Sequence, residues 1–184
     1  MNIVFDLDGT LTLLRVPWLK VRRKVEALYG PIPKQLTVFQ WLLGQERTIV
    51  EEVLNIVEEE ELRGVEDACL DDELVKLVLK ARERGFRLAV VTMQGRAVAE
   101  RMLSKLRLGG VFNPVVTREH SLRREDQLKE VVDRWRIKPE EALFLTDRDL
   151  DLEAAGRVGV KALKVRFVDG SVKEKLREIL GNTR

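Results

Sequence analysis

Cysteine, histidine and long apolar runs are nearly absent from this chain of 184 residues. Its single cysteine, Cys69, excludes an intramolecular disulfide bond and a cysteine-cluster zinc site. The one histidine, His120, has nothing near it in the sequence that completes a metal site or a catalytic triad, so an ordinary loop residue is the simpler interpretation. No apolar run reaches the length of a membrane span, and no signal-peptide pattern precedes the first predicted strand. We therefore expect a cytoplasmic protein without a membrane partner.

The chain also lacks an excess of charge of either sign, with 33 basic residues against 31 acidic ones and a formal net charge of +2. This balance gives no case for nucleic acid as a partner. Hydrophobic residues make up 45% and charged residues 35%, which is typical of a globular protein rather than a disordered one. The length suits one core with a modest insertion, and we expect a monomer or a small homo-oligomer.

Two patterns of apolar residues divide the chain. Over residues 13–66 the apolar positions recur at helical spacing only, which predicts a small all-helical domain. Residues 1–12 and 67–184 combine short apolar runs with helix-length segments, and this alternation predicts a doubly wound parallel sheet of the α/β class. The helical block is then an insertion into the first strand-to-helix connection. The later strands are predicted over 86–92, 114–117, 142–146 and 161–165, and the helices between and after them over 96–106, 124–135, 150–156 and 172–180.

Two carboxylates follow the first predicted strand, at Asp6 and Asp8, and a glycine comes directly after them. Carboxylates so close together repel, and the pKa of one of them rises unless a cation lies between them. A hard divalent ion such as Mg²⁺ removes this cost, because it takes oxygen ligands and keeps waters that a phosphate can replace. The pattern therefore favours a magnesium site over an acidic turn.

Other polar residues follow two further strands of the predicted sheet. Thr92 ends the strand predicted over 86–92, and Asp147, Asp149 and Asp151 follow the apolar run 142–146. In an open parallel sheet, ligands bind beyond the carboxyl ends of the strands. We therefore expect the polar ends of three strands to meet at one edge of the sheet.

Together these segments resemble the haloacid dehalogenase (HAD) superfamily of aspartate-nucleophile hydrolases, and in particular the phosphoglycolate phosphatases and their relatives. The resemblance covers residues 1 to about 165, and the helical insertion has the size and position of that family's cap domain. Three of the family's four motifs carry it: the first is Asp6-Leu7-Asp8-Gly9-Thr10-Leu11, the second is Val90-Val91-Thr92, and the fourth is Leu145-Thr146-Asp147-Arg148-Asp149-Leu150-Asp151.

The resemblance implies a role for each residue of these motifs. Asp6 attacks phosphorus to form an aspartyl-phosphate, and Asp8 protonates the leaving alkoxide and later accepts a proton from the attacking water. Mg²⁺ is held by Asp6, by the backbone carbonyl of Asp8 and by Asp147. Thr92 donates its hydroxyl to a phosphoryl oxygen. Asp151 acts behind these groups, on the metal waters or on the basic residue of the third motif.

The third motif departs from the family, which has a lysine roughly 25 residues before the aspartate of the fourth motif. Here Arg123 or Arg124 is the natural substitute, since a planar guanidinium replaces a mobile ammonium group. Lys129 falls inside the following helix, and Lys138 lies too close to the fourth motif. Thr146, where glycine is common, is a second and milder departure.

Asp8 favours phosphate ester hydrolysis over carbon–halogen cleavage. An alkoxide leaving phosphorus needs a proton, whereas chloride does not, and the dehalogenases of this superfamily lack an acid at this position. We therefore expect a Mg²⁺-dependent phosphatase that acts on a small phosphorylated metabolite. Two alternatives remain: a phosphomutase with the same catalytic residues, and a weakly active phosphate-binding or regulatory module, which the missing lysine motivates.

Five basic residues also lie in the first helix of the insertion and its lead-in. A polyanionic substrate suits them, but pairing with the acidic third helix of the same block is the simpler interpretation. The five are Arg15, Lys20, Arg22, Arg23 and Lys24.

Overall fold

The computed structural model describes residues 1–182 and divides the chain into two units. The core unit consists of Met1–Leu13 and the chain from Cys69 onward, and the helical unit is Leu14–Ala68. The predicted boundary between residues 12 and 13 lies one residue too early, and the one between residues 66 and 67 lies two residues too early. Within the core unit, the backbone N–H of Cys69 donates to the carbonyl of Leu13, so the outgoing and returning segments are paired where the insertion begins and ends.

The core unit contains the predicted parallel sheet. Its strands are β1 (Asn2–Phe5), β2 (Arg87–Val91), β3 (Val115–Val116), β4 (Ala142–Thr146) and β5 (Lys161–Lys164), and their order in the sheet is β3-β2-β1-β4-β5. All four pairings are parallel. Strands β2 and β3 lie on one side of β1, and the chain then crosses over so that β4 and β5 lie on the other side. The topological switch point therefore lies between β1 and β4, where ligands bind in folds of this type.

In the part of this unit that the structure describes, which ends at residue 182, five helices accompany the sheet, and together they confirm the predicted α/β class. They are α4 (Asp72–Glu83), α5 (Arg96–Lys105), α6 (Arg124–Trp135), α7 (Asp149–Arg157) and α8 (Ser171–Asn182), and a short 3₁₀ turn spans Pro139–Glu141. Asp71 caps α4, because its carboxylate accepts from the backbone N–H groups of Glu73 and Leu74. Leu128 and Val131 of α6 pack with Phe144 of β4 in the main hydrophobic core, which fixes the rotation of α6 about its axis.

The helical unit contains α1 (Trp18–Tyr29), α2 (Val38–Leu42) and α3 (Arg47–Glu66). Its predicted pairing of basic and acidic helices is present: Lys20 and Lys24 of α1 contact the buried carboxylate of Glu60 in α3, at 3.0 and 2.6 Å. Arg22 donates to the backbone carbonyl of Leu36 at 2.9 Å. These basic groups therefore hold the unit together. Among residues 1–182, no helix is both long and apolar enough to cross a bilayer.

Candidate active site

The first carboxylate, Asp6, lies immediately beyond the end of β1 at the switch point. Its backbone N–H donates to the carbonyl of Leu145 in β4, at 2.9 Å, so the residue is held between the two strands. The side chain is buried, and its Oδ1 accepts from the backbone N–H of Leu7 at 2.9 Å. Asp6 is thus a carboxylate with a fixed position and little contact with bulk water.

Gly9 is required by the close approach of the loop after β4. A Cβ atom on Gly9 would lie 2.4 Å from Oδ2 of Asp147, and Gly9 has a φ of +83°, which other residues rarely adopt. The tight turn is closed by its N–H, which donates to the carbonyl of Thr12 at 2.7 Å. Asp8 is half-buried on this turn. The glycine therefore allows the first and fourth motifs to meet.

Arg124 connects two of the predicted acidic residues. Its Nη2 lies 3.2 Å from Oδ1 of Asp6 and 3.0 Å from Oδ2 of Asp151, and all three side chains are at least nine-tenths buried. Its guanidinium also lies over the ring of Phe144, at 5.7 Å from the centroid. Arg123 is exposed at the N-cap of α6. Of the two arginines, the structure brings Arg124 to the acidic cluster.

Burial dominates the electrostatics of this cluster. It raises the pKa of Asp6 to about 7, with Arg124 opposing the rise and the charges of Asp151 and Asp147 adding to it. Burial likewise raises the pKa of Asp147 above its ordinary value. For Arg124, burial lowers the pKa, but Asp6 and Asp151 outweigh it and keep the pKa above its ordinary value. The site holds more negative charge than one guanidinium neutralises.

The second motif lies on the other side of β1, at the end of β2. Thr92 is buried, and its hydroxyl donates to Oε1 of Gln94 while it accepts from the backbone N–H of the same residue at 3.2 Å. Arg118 donates from Nη1 to the carbonyl of Met93 at 3.3 Å, so a second buried arginine lies beside this loop. The role of Thr92 toward phosphate stays a prediction.

The departure at Thr146 has a clear place in the geometry. Thr146 donates from Oγ1 to Oδ2 of Asp151 at 3.0 Å and accepts from the backbone N–H of Arg148 at 3.3 Å. This threonine orders the fourth motif. Lys129 is exposed on α6, away from the buried side of that helix.

Gln127 is the residue that sequence reasoning missed. Its side chain is fully buried and contacts Arg124, the end of β2 and the loop before α6. The signal that could have found it is its spacing: residues 124, 127, 128 and 131 lie on one face of a helix.

The fold and this site define an α/β protein with a buried arginine and a cluster of carboxylates at the topological switch point. A sequence model of the haloacid dehalogenase-like hydrolases matches residues 3–165, and the chain belongs to that family of hydrolases. The predicted family resemblance is thereby confirmed. No protein of curated function gives a significant sequence match.

Solved structures with the same fold span the whole chain. A haloacid dehalogenase-like hydrolase from Streptococcus pneumoniae is 17% identical with a TM-score of 0.69, covering 100% of this chain and 98% of its own. A predicted phosphatase from Clostridium acetobutylicum is 19% identical with a TM-score of 0.73, covering 98% of each chain. A phosphoglycolate phosphatase candidate from Lactobacillus plantarum is 21% identical with a TM-score of 0.72, and the match covers 98% of this chain and 97% of its own. At these identities the likeness establishes the fold alone.

The residues present fit a divalent cation. Oδ1 of Asp147 is buried and has no hydrogen-bond partner among residues 1–182, and burial raises the pKa of the neighbouring Asp6. Among residues 1–182, no three or more histidine, cysteine, aspartate or glutamate side chains are grouped so that they could hold a metal ion by themselves. An ion here would therefore use the carboxylates of Asp6 and Asp147, a backbone carbonyl of the turn and water, which is the kind of donor set that Mg²⁺ accepts.

Proposed function

We propose that the protein is a Mg²⁺-dependent phosphatase that hydrolyses a small phosphorylated metabolite through an aspartyl-phosphate on Asp6. The observation that carries this proposal is the buried contact of Asp6 with Arg124 at the switch point, beside an Asp147 oxygen that lacks a partner among residues 1–182. Membership of a hydrolase family supports it, and two proteins of the same fold are described as phosphatases.

The proposed reaction has two displacements at phosphorus. An oxygen of Asp6 forms a bond to phosphorus while the bond to the substrate's alkoxide oxygen breaks, and Asp8 gives its proton to that oxygen. Water then attacks the same phosphorus, Asp8 takes a proton from it, and phosphate leaves with Asp6 restored. Asp8 is half-buried on the turn after β1, where a proton can be exchanged with the site and with solvent.

The remaining residues hold Asp6 and the phosphoryl group in place. A bound Mg²⁺ ion would supply positive charge between the nucleophile and the phosphate, held by Asp6, Asp147 and the Asp8 carbonyl. Arg124 donates to Oδ1 of Asp6 at 3.2 Å, so we expect the other oxygen, Oδ2, to attack phosphorus. The hydroxyl of Thr92 would turn from Gln94 to a phosphoryl oxygen when substrate binds.

Hydrolysis of p-nitrophenyl phosphate, with Mg²⁺ and with excess EDTA, tests the proposal. We expect turnover that EDTA abolishes and that Asp6→Asn lowers by about a thousandfold or more, since the nucleophile is lost. Asp133→Asn is the matched control, because Asp133 is an exposed carboxylate on α6 and its replacement should leave kcat unchanged.

Mass spectrometry of acid-quenched enzyme should find phosphate on Asp6 during turnover. Metal-dependent turnover that survives Asp6→Asn would refute the mechanism. No turnover across a panel of phosphorylated metabolites would favour the phosphate-binding module instead. A requirement for a bisphosphate activator would favour the phosphomutase.

A further inference from the structure

Gln127 uses all of its hydrogen-bonding groups inside the core unit. Its Nε2 donates to the carbonyls of Thr92 and Ser121, each at 2.9 Å, and its Oε1 accepts from Nη1 of Arg124 at 2.9 Å. Two carbonyls require donors and a guanidinium requires an acceptor, so these partners fix which end of the amide is oxygen. The side chain has no exposed surface, and both its amide nitrogen and its amide oxygen are hydrogen-bonded within the core unit.

These bonds place Gln127 between three parts of the candidate site. Thr92 directly follows β2, Ser121 lies in the loop that leads into α6, and Arg124 is one helical turn before Gln127 on the same face. The guanidinium of Arg124 is therefore held on both sides. Its Nη2 contacts Asp6 and Asp151, and its Nη1 contacts Gln127.

An arginine needs this second support more than a lysine does. A lysine ends in a compact ammonium group that can satisfy both carboxylates from one point. A guanidinium is broad, its donors point in several directions in one plane, and each buried donor without an acceptor costs free energy. Without Gln127, Nη1 of Arg124 would lose its acceptor and the group could turn away from Asp6.

We propose that Gln127 is a positioning residue for the reaction: it fixes Arg124 against Asp6 and thereby allows arginine to replace the lysine of the third motif. The inference rests on the proposed phosphatase function for its kinetic test, and it has a second test that needs no turnover. The alternative is a purely structural role, in which Gln127 only satisfies the carbonyls of Thr92 and Ser121.

A double-mutant cycle separates these roles. We expect Gln127→Met, which keeps the length and removes every polar group, to lower kcat about tenfold or more with KM changed less than about twofold. In an Arg124→Lys background the same substitution should have little further effect on kcat, because the guanidinium it positions is gone. Gln127→Glu, which restores an acceptor for Arg124, should recover part of kcat.

Val78→Ala is the matched control for stability. Val78 is fully buried in α4, a helix that holds no residue of the candidate site, so its truncation destabilises the fold and leaves α6 and Arg124 in place. Its kcat should equal that of the unmodified protein at a temperature where every variant is folded. If Gln127→Met lowers kcat by the same factor with Arg124 intact and in the Arg124→Lys background, the inference is overturned and the phosphatase function still stands.

¹⁵N NMR of the arginine side chains tests the same claim without turnover. We expect separate Nη1 and Nη2 signals for Arg124, because both sides of the guanidinium are held, and a merged signal in Gln127→Met. The Arg124→Lys spectrum identifies the signals. If the protein shows no phosphatase activity but the signals merge as expected, the positioning role stands while the proposed function fails. Separate signals that persist in Gln127→Met would overturn the positioning role.

Discussion

Replacing Arg124 by methionine should expose how strongly the acidic cluster depends on one buried cation. The substitution keeps an unbranched side chain but removes the charge that contacts Asp6 at 3.2 Å and Asp151 at 3.0 Å. Both carboxylates then remain buried without their cation, since each is less than one-tenth exposed. A buried charge that loses its partner is far more costly than an exposed one.

The expected loss in the free energy of unfolding is about 3–5 kcal/mol, the usual cost of removing one partner from a buried ion pair. Two further losses are included in this range: the hydrogen bond that Nη1 of Arg124 donates to Gln127, at 2.9 Å, and the contact of the guanidinium with the ring of Phe144. Arg123→Met is the matched control, because the same substitution one residue earlier falls on an exposed side chain. It should change stability by no more than about 0.5 kcal/mol.

Urea unfolding in EDTA near neutral pH measures the difference. Trp135 is suited as the probe, because it is buried at the end of α6 in the same unit, and replacing Trp18 and Trp41 by phenylalanine removes the signal of the helical unit. Equal stability of the Arg123 and Arg124 variants would refute the reasoning. It would mean that the carboxylates of this cluster are neutral, or that the guanidinium does not contact them in solution.

Three further substitutions test other parts of the structure. Gly9→Ala should lower hydrolysis of p-nitrophenyl phosphate at least about a hundredfold while the circular dichroism spectrum is kept, because its Cβ would lie 2.4 Å from the Asp147 carboxylate. Glu60→Gln should destabilise the helical unit by about 1 kcal/mol at neutral pH, a value reduced for the exposure of the partner cations. Hydrogen bonds from Lys24 and Lys20 lower the pKa of Glu60 from 4.5 to about 2. The Glu60 carboxylate therefore stabilises the fold fully above pH 4.5, and this contribution is lost as the pH falls toward 2. Urea unfolding at several pH values should show that the free energies of unfolding of Glu60→Gln and of the unmodified protein become equal near pH 2. Thr146→Val should cost about 1 kcal/mol and lower kcat, since Asp151 loses a donor at 3.0 Å, and unchanged kinetics would show that this bond has no part in the reaction.

The sequence predicted the sheet and its helices well wherever the apolar pattern was regular. Both ends of α6 and of β4 were predicted correctly, because the helical stripe of α6 and the continuous apolar run of β4 are each followed by polar residues. The edge strand was predicted over 114–117 but spans only Val115–Val116. It lies at the end of the sheet, so within residues 1–182 its ladder is formed with β2 alone.

Which arginine reaches the carboxylates could not be predicted from the residue type, because both lie at the start of one helix. The choice depends on the rotation of α6, which is set by Leu128 and Val131 in the core. Arg124 lies on their face and Arg123 does not. The spacing of Gln127 places it on the same face as Arg124, but its hydrogen bonds could not be predicted, because only the tertiary structure supplies the two carbonyls that it binds.

The two departures from the family pattern, arginine in the third motif and threonine in the fourth, meet at a single atom. Oδ2 of Asp151 accepts from Oγ1 of Thr146 and from Nη2 of Arg124, each at 3.0 Å. A guanidinium at this place is buried and requires a carboxylate held in one orientation, and a hydroxyl on the strand end provides that orientation where glycine could not. Gln127 supplies the acceptor for Nη1 of Arg124. The missing lysine is thus accompanied by a set of polar contacts that suits its replacement, which argues for a site that still binds and orients Asp6 rather than one that has decayed.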